Sequence, residues 1–380
     1  MSNNKLVIKE EKGNINVFVY ENDVIVEQYT EKEDEQRLEG NIYVGKVKDI
    51  VKGIQAAFID IGEDKNALIH IEDIIKKESN ITGNVNVDIS KYDIAKEIKS
   101  GDKIIVQIKK DCESEKGPRV TKDIKLVGKY VILMPFVDFV TISKKIENEE
   151  KRKEYKEKVK EYLSKTGYGA IIRTSAENVE VDEVLENLQE LIESWNDIKA
   201  KAENSDAPVM VYNNNGIIGK LIIDYKPTGI EVYTNTDKMK KVINSIDSEI
   251  EVKVDKKLKE ELNTANKIWL KCGGFIKIDI TEALVAIDVN TGRYTGKTKI
   301  EDTVVKVNLE AVHEIAKQVR LHDLGGIIII DFIDMFKEED RELVKNTMIE
   351  SFKTDRSKVQ VLEFTKLGLL EVTRKHILGR

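Results

Sequence analysis

Residues 308–335 read NLEAVHEIAKQVRLHDLGGIIIIDFIDM, which is a helix, a stop and a strand in immediate succession. Val307, Val312, Ile315, Ala316 and Val319 recur at helical spacing, so 304–321 is predicted as a helix. Gly325 and Gly326 stop it. IIIIDF (327–332) then reads as a nearly all-apolar strand of the kind buried on both faces of a sheet, and another helix is expected over 338–352. Upstream, 275–280 and 284–289 are apolar runs with single aspartates near their ends. Strand, helix, strand implies parallel neighbours joined by a right-handed crossover.

In such a sheet, ligands bind outside the carboxyl ends of the strands, which is where Asp288 and Asp331 fall. Each ends a run too apolar to hold an unpaired carboxylate cheaply. Two converging carboxylates repel unless a cation joins them. A few hard oxygen ligands with room for water suit Mg²⁺ or Mn²⁺ and not zinc. Asn290, two residues beyond Asp288, projects to the same face and could orient a carboxylate or a water. The competing reading makes both acids ordinary strand-end residues capping the next turn. Asp334 follows its strand end and suits capping or support better than ligation. His70, His313, His322 and His376 lack HxH or HExxH spacing and read as ordinary residues.

Working outward, 5–30 is a meander of short strands, and 37–122 is a second β-rich block (GNIYVGKVKDIV, QAAFIDIG, NALIHIEDI, DKIIVQIKK) suggesting an OB-like barrel. The polar stretch 78–93 reads as a surface loop. Beyond 123 come a strand ending at Pro135, a charged helix over 145–165, the short strand GAIIRTS (169–175) and an amphipathic helix over 181–195. Residues 208–234 read as β structure, and 238–265 as mostly helical.

Composition bounds the function less than the motifs do. A net charge of −7 argues against a nucleic-acid partner on average. With 34% charged residues, 62 basic against 69 acidic, a basic surface can still coexist with acidic helices, so the partner stays open. No run approaches the roughly 18 apolar residues of a membrane span, and no signal peptide opens the chain. Cys112 and Cys272 form no CxxC pair, which fits a reducing cytoplasm.

Three phrases carry a resemblance: GGFIKIDITEALVAIDVNTGRYTGK (273–297), the stretch 308–335, and GLLEVTRK (368–375). In this order they resemble the deoxyribonuclease-I-like catalytic region of the ribonuclease E/G family. GNIYVGKVKDIVKGIQAAFIDIGEDKNALIHIEDI (40–74) resembles the family's S1-type RNA-binding insertion, and YVILMP with IIRTS its 5′-sensor region. The resemblance implies a multidomain α/β and α+β chain: residues 1–36 plus 218–265 as a discontinuous ribonuclease-H-like domain, 37–122 as the S1-type OB barrel, 123–217 as the 5′-sensor and 266–380 as the catalytic domain.

By the same resemblance, Asp288 and Asp331 match the metal-binding aspartates and Asn290 the asparagine beside them. Arg173 and Thr174, with backbone at Ile132, match the pocket for a 5′-monophosphate, chemistry suited to a guanidinium fork and a hydroxyl. Phe58 and Lys116 match positions for base stacking and backbone contact, while Leu68 stands where a second aromatic is usual. Lys144 and Lys145 occupy the place of a basic pair. The implied activity is a Mg²⁺-dependent (or Mn²⁺-dependent) endoribonuclease of the cytoplasm. It would cut single-stranded A/U-rich stretches of ribosomal RNA precursors and mRNA, leaving 5′-phosphate and 3′-hydroxyl ends, faster when a 5′-monophosphate is bound. The chain stops at Arg380 without the CPxC pair or a long tail, so a homodimer would not be zinc-linked, and the shorter, ribonuclease-G-like form is expected. The rival functions are a noncatalytic RNA-binding factor, which needs only the barrel, and a metal-dependent phosphatase or deoxyribonuclease, which has no use for it.

Overall fold

Within the strand Gly326–Asp331, burial alternates from Ile327 onward, and that pleat decides which face the site occupies. The structure, a computed structural model, describes residues 4–33, 37–75, 91–111, 116–292 and 300–378. Cys112, most of 78–93 and residues 293–297 of the first quoted phrase lie outside the described residues. The chain divides into two compact units, Met1–Asp34 with Ile230–Gly379, and Glu35–Gly229.

The first unit holds a six-stranded sheet in the order Lys267–Trp269, Phe275–Ile280, Val285–Asn290, Gly326–Asp331, Leu369–Arg374 and Val359–Phe364. Val285–Asn290 and Gly326–Asp331 are parallel, with the helix Ile300–Leu321 between them in sequence. Ile276, Ile278, Ile287, Val289, Ile328 and Ile330 pack with Val307, Val312 and Ile315 of that helix and with Val344 and Met348 of the helix Glu338–Ser351. Both helices therefore cover the same face. This corrects the expectation that 327–332 is buried on both sides: Ile328 is fully buried while Ile327 is 51% exposed. The β-branched run satisfies strand propensity on either face, so its apolarity did not report burial. Ile330→Ala in this core would cost roughly 2–5 kcal/mol.

The same unit contains a five-stranded sheet ordered Val252–Val254, Ile230–Thr234, Asn4–Glu11, Asn14–Glu21 and Val24–Lys32. The N-terminal meander is thus completed by strands more than two hundred residues away. Glu27, fully buried, anchors it: its carboxylate meets Arg356 at 2.8 Å and Arg320 at 3.2 Å and accepts from the Tyr29 hydroxyl at 2.7 Å. Burial alone would raise this carboxyl, but the two guanidinium groups and the hydroxyl hold it below the usual range. The stretch 238–265, expected to be mostly helical, is helical only over Asp237–Ile246, capped by the Thr236 hydroxyl accepting from the Met239 N–H. Beyond it Val252–Val254 pairs in parallel with Val232–Thr234, because the alternating EVKV run offers a better strand than a helix.

In the second unit the strands Ile42–Val51, Ala56–Asp60, Ala67–His70, Arg119–Thr121 and Lys103–Lys110 close on themselves, the last pairing back with the first, while Val209–Tyr212 adds to Ile42–Val51 outside the ring. Tyr43, Ile59, Ile69, Val106 and Val120 fill the barrel. A second core in this unit packs the sheet of Leu126–Val127, Val131–Met134, Val140–Ile142 and Gly169–Ile172 against the helices Glu149–Leu163 and Val181–Glu203. The segment GIIGKLIIDY, expected as β structure, is the helix Gly216–Tyr225. Its buried residues Ile217, Ile218, Leu221, Ile222 and Tyr225 recur three, four and five apart, a helical spacing that the high β-branched content concealed. Among the described residues no helix is long and apolar enough to cross a membrane.

Candidate active site

The parallel register sets Asp288 directly opposite Asp331 on the neighbouring strand. Directly opposed residues share a face, and both side chains emerge on the face that the helices leave open, where both residues are exposed. Neither acid ends a run that is buried throughout, as its sequence suggested, since only alternate residues such as Val285, Ile287, Ile328 and Ile330 are buried. The convergence of the two acids does hold. Among the described residues neither carboxylate caps a following turn. The Asn290 amide donates to Asp288 Oδ2 at 2.7 Å, so one oxygen of that carboxylate is oriented from within its own strand.

Partial desolvation raises the Asp331 carboxyl above its ordinary value, and the negative charges of Asp288 and Asp334 push it the same way. Lys277, in register with Asp288 on the other side, is ion-paired with Asp279 at 2.9 Å. Two directly opposed carboxylates, with Asp331 raised in part by the charge of Asp288, are a fit for a divalent cation, which would relieve the repulsion. Among the described residues no group of three or more His, Cys, Asp or Glu side chains could form a full cage. A pair of carboxylates with room for water would suit an ion that keeps much of its hydration. Asn308, a fully buried polar residue on the helix Ile300–Leu321, was not singled out from sequence. Its amide donates to the Ile333 carbonyl at 2.8 Å and accepts from the Ile333 N–H at 3.1 Å, holding the backbone two residues past Asp331. The signal was present as an asparagine amid the apolar stripe of that helix.

In the second unit Arg173 and Thr174 follow the strand Gly169–Ile172. The Arg173 N–H donates to the Tyr130 carbonyl at 2.8 Å. Its guanidinium donates to the Gly128 carbonyl at 2.6 Å and to Asp224 Oδ1 at 2.5 Å. Gly128 is there for closeness: a Cβ would lie 2.5 Å from Asn187 Oδ1. Thr174 is exposed and shares a 2.8 Å hydrogen bond with the Ser143 hydroxyl. Ile132 lies on the adjoining strand, paired with Ile171. Lys144 and Lys145 are exposed just after Ser143, whose hydroxyl accepts from the Lys145 N–H at 3.3 Å. Sequence reasoning missed Asp224 and Ser143. Reading 217–225 as a helix would have put Lys220 and Asp224 on its polar side.

On the barrel, Phe58 is 38% exposed between the core residues Ala57 and Ile59, so its ring lies on the outer surface. It stands opposite the half-buried Leu68, which in turn stands opposite Arg119. Lys116 is exposed three residues before Arg119. A lane of one ring, one aliphatic side chain and one guanidinium thus crosses three strands.

The model of the ribonuclease E/G family matches residues 125–377, and that of the S1 RNA binding domain matches residues 38–122. The chain is 33% identical over 370 residues to Ribonuclease G of Escherichia coli (strain K12), covering 93% of this chain and 76% of that protein. It is 31% identical over 379 residues to Ribonuclease G of Haemophilus influenzae, covering 94% and 77%. Against Ribonuclease E of Synechocystis sp. the identity is 32% over 360 residues, covering 88% of this chain and 52% of that protein.

Proposed function

The chain belongs to the ribonuclease E/G family and is an endoribonuclease with an S1 RNA-binding domain, and from that premise we propose that Asp288 and Asp331 jointly hold the divalent metal, Mg²⁺ or Mn²⁺, at which single-stranded RNA is cut. The observation that carries the proposal is their direct opposition on neighbouring strands, with Asp331 resisting ionisation beside Asp288. A bound Mg²⁺ supplies charge neutralisation at the scissile phosphate and a more acidic water. Asn290 keeps the Asp288 carboxylate turned toward the shared position. Asn308 holds the backbone that follows Asp331, so the second carboxylate keeps its direction.

Binding and end recognition are assigned to the second unit. Phe58 offers a stacking surface that tolerates any base, with Lys116 reaching the backbone, and suits a nuclease of loose A/U-rich preference. Leu68 opposite Phe58 provides apolar contact without a second aromatic platform. Arg173 and Thr174, beside backbone at Ile132, receive a 5′-monophosphate, and Lys144 and Lys145 add positive charge nearby. Ribosomal RNA precursors and mRNA of the cytoplasm are the substrates this reading favours. The pairing of strands 4–32 with Ile230–Thr234 and Val252–Val254 supports a discontinuous ribonuclease-H-like domain, and the six-stranded sheet with its helices supports a deoxyribonuclease-I-like catalytic region. The test is incubation of purified protein with a labelled single-stranded oligoribonucleotide, with and without Mg²⁺, followed by mapping of the ends. Internal cuts bearing 5′-phosphates only when metal is present are expected. Metal-independent cutting would refute the assignment.

A further inference from the structure

The open face of the six-stranded sheet carries more than the aspartate pair. Lys267, Lys277, Asp288 and Asp331 are in register across four strands, and Trp269, Phe275 and Asn290 form the next row. Ile268, Ile276 and Val289, which alternate with them, pack into the core, so both rows face outward. Trp269 is 55% exposed, a large apolar surface left in water. Its ring is nevertheless held in place. It meets the Phe275 ring at 5.3 Å and 61°, and the Lys267 ammonium lies 4.9 Å from its centre and 3.8 Å from that of Phe275. Behind it Gly292, at φ +57°, packs so closely that a Cβ would lie 2.4 Å from the Gly273 carbonyl oxygen and 3.3 Å from the indole.

We propose that Lys267, Trp269, Phe275 and Lys277 form a subsite for the single-stranded RNA flanking the scissile phosphate, with one base stacked on Trp269 and the backbone drawn to the two lysines. The proposal rests on Asp288 and Asp331 being the reaction centre. Strands about 4.8 Å apart put the strand of Trp269 roughly 10 Å from that of Asp288, next to the centre but not in it. A fixed indole beside exposed cations is the combination that binds single strands without regard to sequence. The Lys277–Asp279 pair, with both side chains about half exposed, is weak enough for a phosphate to replace the carboxylate.

The chain has two tryptophans, and Trp195 is 2% exposed, so a ligand stacking on the open sheet face reports through Trp269 alone. Titrating a 5′-hydroxyl single-stranded oligoribonucleotide into the full chain without divalent metal should quench tryptophan emission saturably, at the concentrations where anisotropy shows binding. Trp269→Phe should lose the quench while still binding. In cleavage, Trp269→Ala should raise KM by at least about fivefold, a larger change than in kcat. Saturated binding without a quench, or an unchanged KM, overturns the subsite. A Trp269→Ala change in sedimentation with unchanged KM would assign this face to a second copy of the chain and overturn it equally. If Asp288→Asn cleaves normally, the reaction-centre assignment falls. If Asp288→Asn is inactive and the quench is absent, the subsite alone falls.

Discussion

The aspartate pair and the Arg173 pocket are opposite solutions to holding charge. Asp288 and Asp331 face each other as like charges, with no cationic side chain bonded to either among the described residues. Arg173 is already satisfied, its guanidinium bonded to the Gly128 carbonyl and paired with Asp224, with both side chains mostly covered. On the proposed reading the first site would gain from a divalent cation. The second would have to give something up to take the proposed 5′-phosphate, which would share or displace the Asp224 carboxylate. Metal binding should therefore act as a near-absolute requirement, and 5′-end recognition as a modulation whose size the protein sets.

The largest expected effect breaks the unfinished site. Asp288→Asn or Asp331→Asn should lower turnover by at least about a hundredfold while RNA affinity survives, since metal stabilisation is worth several kcal/mol and each ~1.36 kcal/mol is tenfold. Wild-type rates in either variant would remove the site. Next, Arg173→Ala should bring the cleavage rates of 5′-monophosphorylated and 5′-hydroxyl oligoribonucleotides together, and a ratio that stays put would discard the pocket only. Asp224→Asn sharpens the contrast: losing the competing charge should raise the preference for the monophosphorylated substrate by about two- to fivefold, in line with a partly exposed charge pair. A fall to the Arg173→Ala level would instead make Asp224 the residue that positions the guanidinium.

The smallest effect concerns protonation. In metal-free protein the Asp331 carboxyl should titrate above the ordinary aspartate range, by desolvation and by the charge of Asp288. Because its folded value is raised, the strain it imposes is absent at low pH and present once pH rises through that value. Asp288→Asn should move the midpoint down, readable by carboxyl carbon NMR, and an upward move would contradict the mutual repulsion.

The meeting of the two aspartates was legible because the β-α-β pattern of 275–332 implies parallel neighbouring strands, each carrying an aspartate near its carboxyl end. The exposure of those aspartates was not legible, since isoleucines line both faces of the strand and only the position of the helices separates them. Asp224 was hidden for a related reason: GIIGKLIIDY is so rich in isoleucine that composition argued for a strand while spacing argued for a helix. Asn308 and Gly128 act through backbone contacts with partners 25 and 45 residues away, which no local pattern announces. The partnership of the N-terminal strands with 230–254 came from the family resemblance and not from the strands themselves, whose sequence says only that they need cover.

Metal occupancy tests the central claim most directly. Mn²⁺ titrated into the full chain and followed by electron paramagnetic resonance should fill one strong site, and Asp288→Asn and Asp331→Asn should each weaken it by at least about tenfold, alongside the loss of cleavage. Equal Mn²⁺ affinity in wild type and both variants would show that these carboxylates do not share an ion.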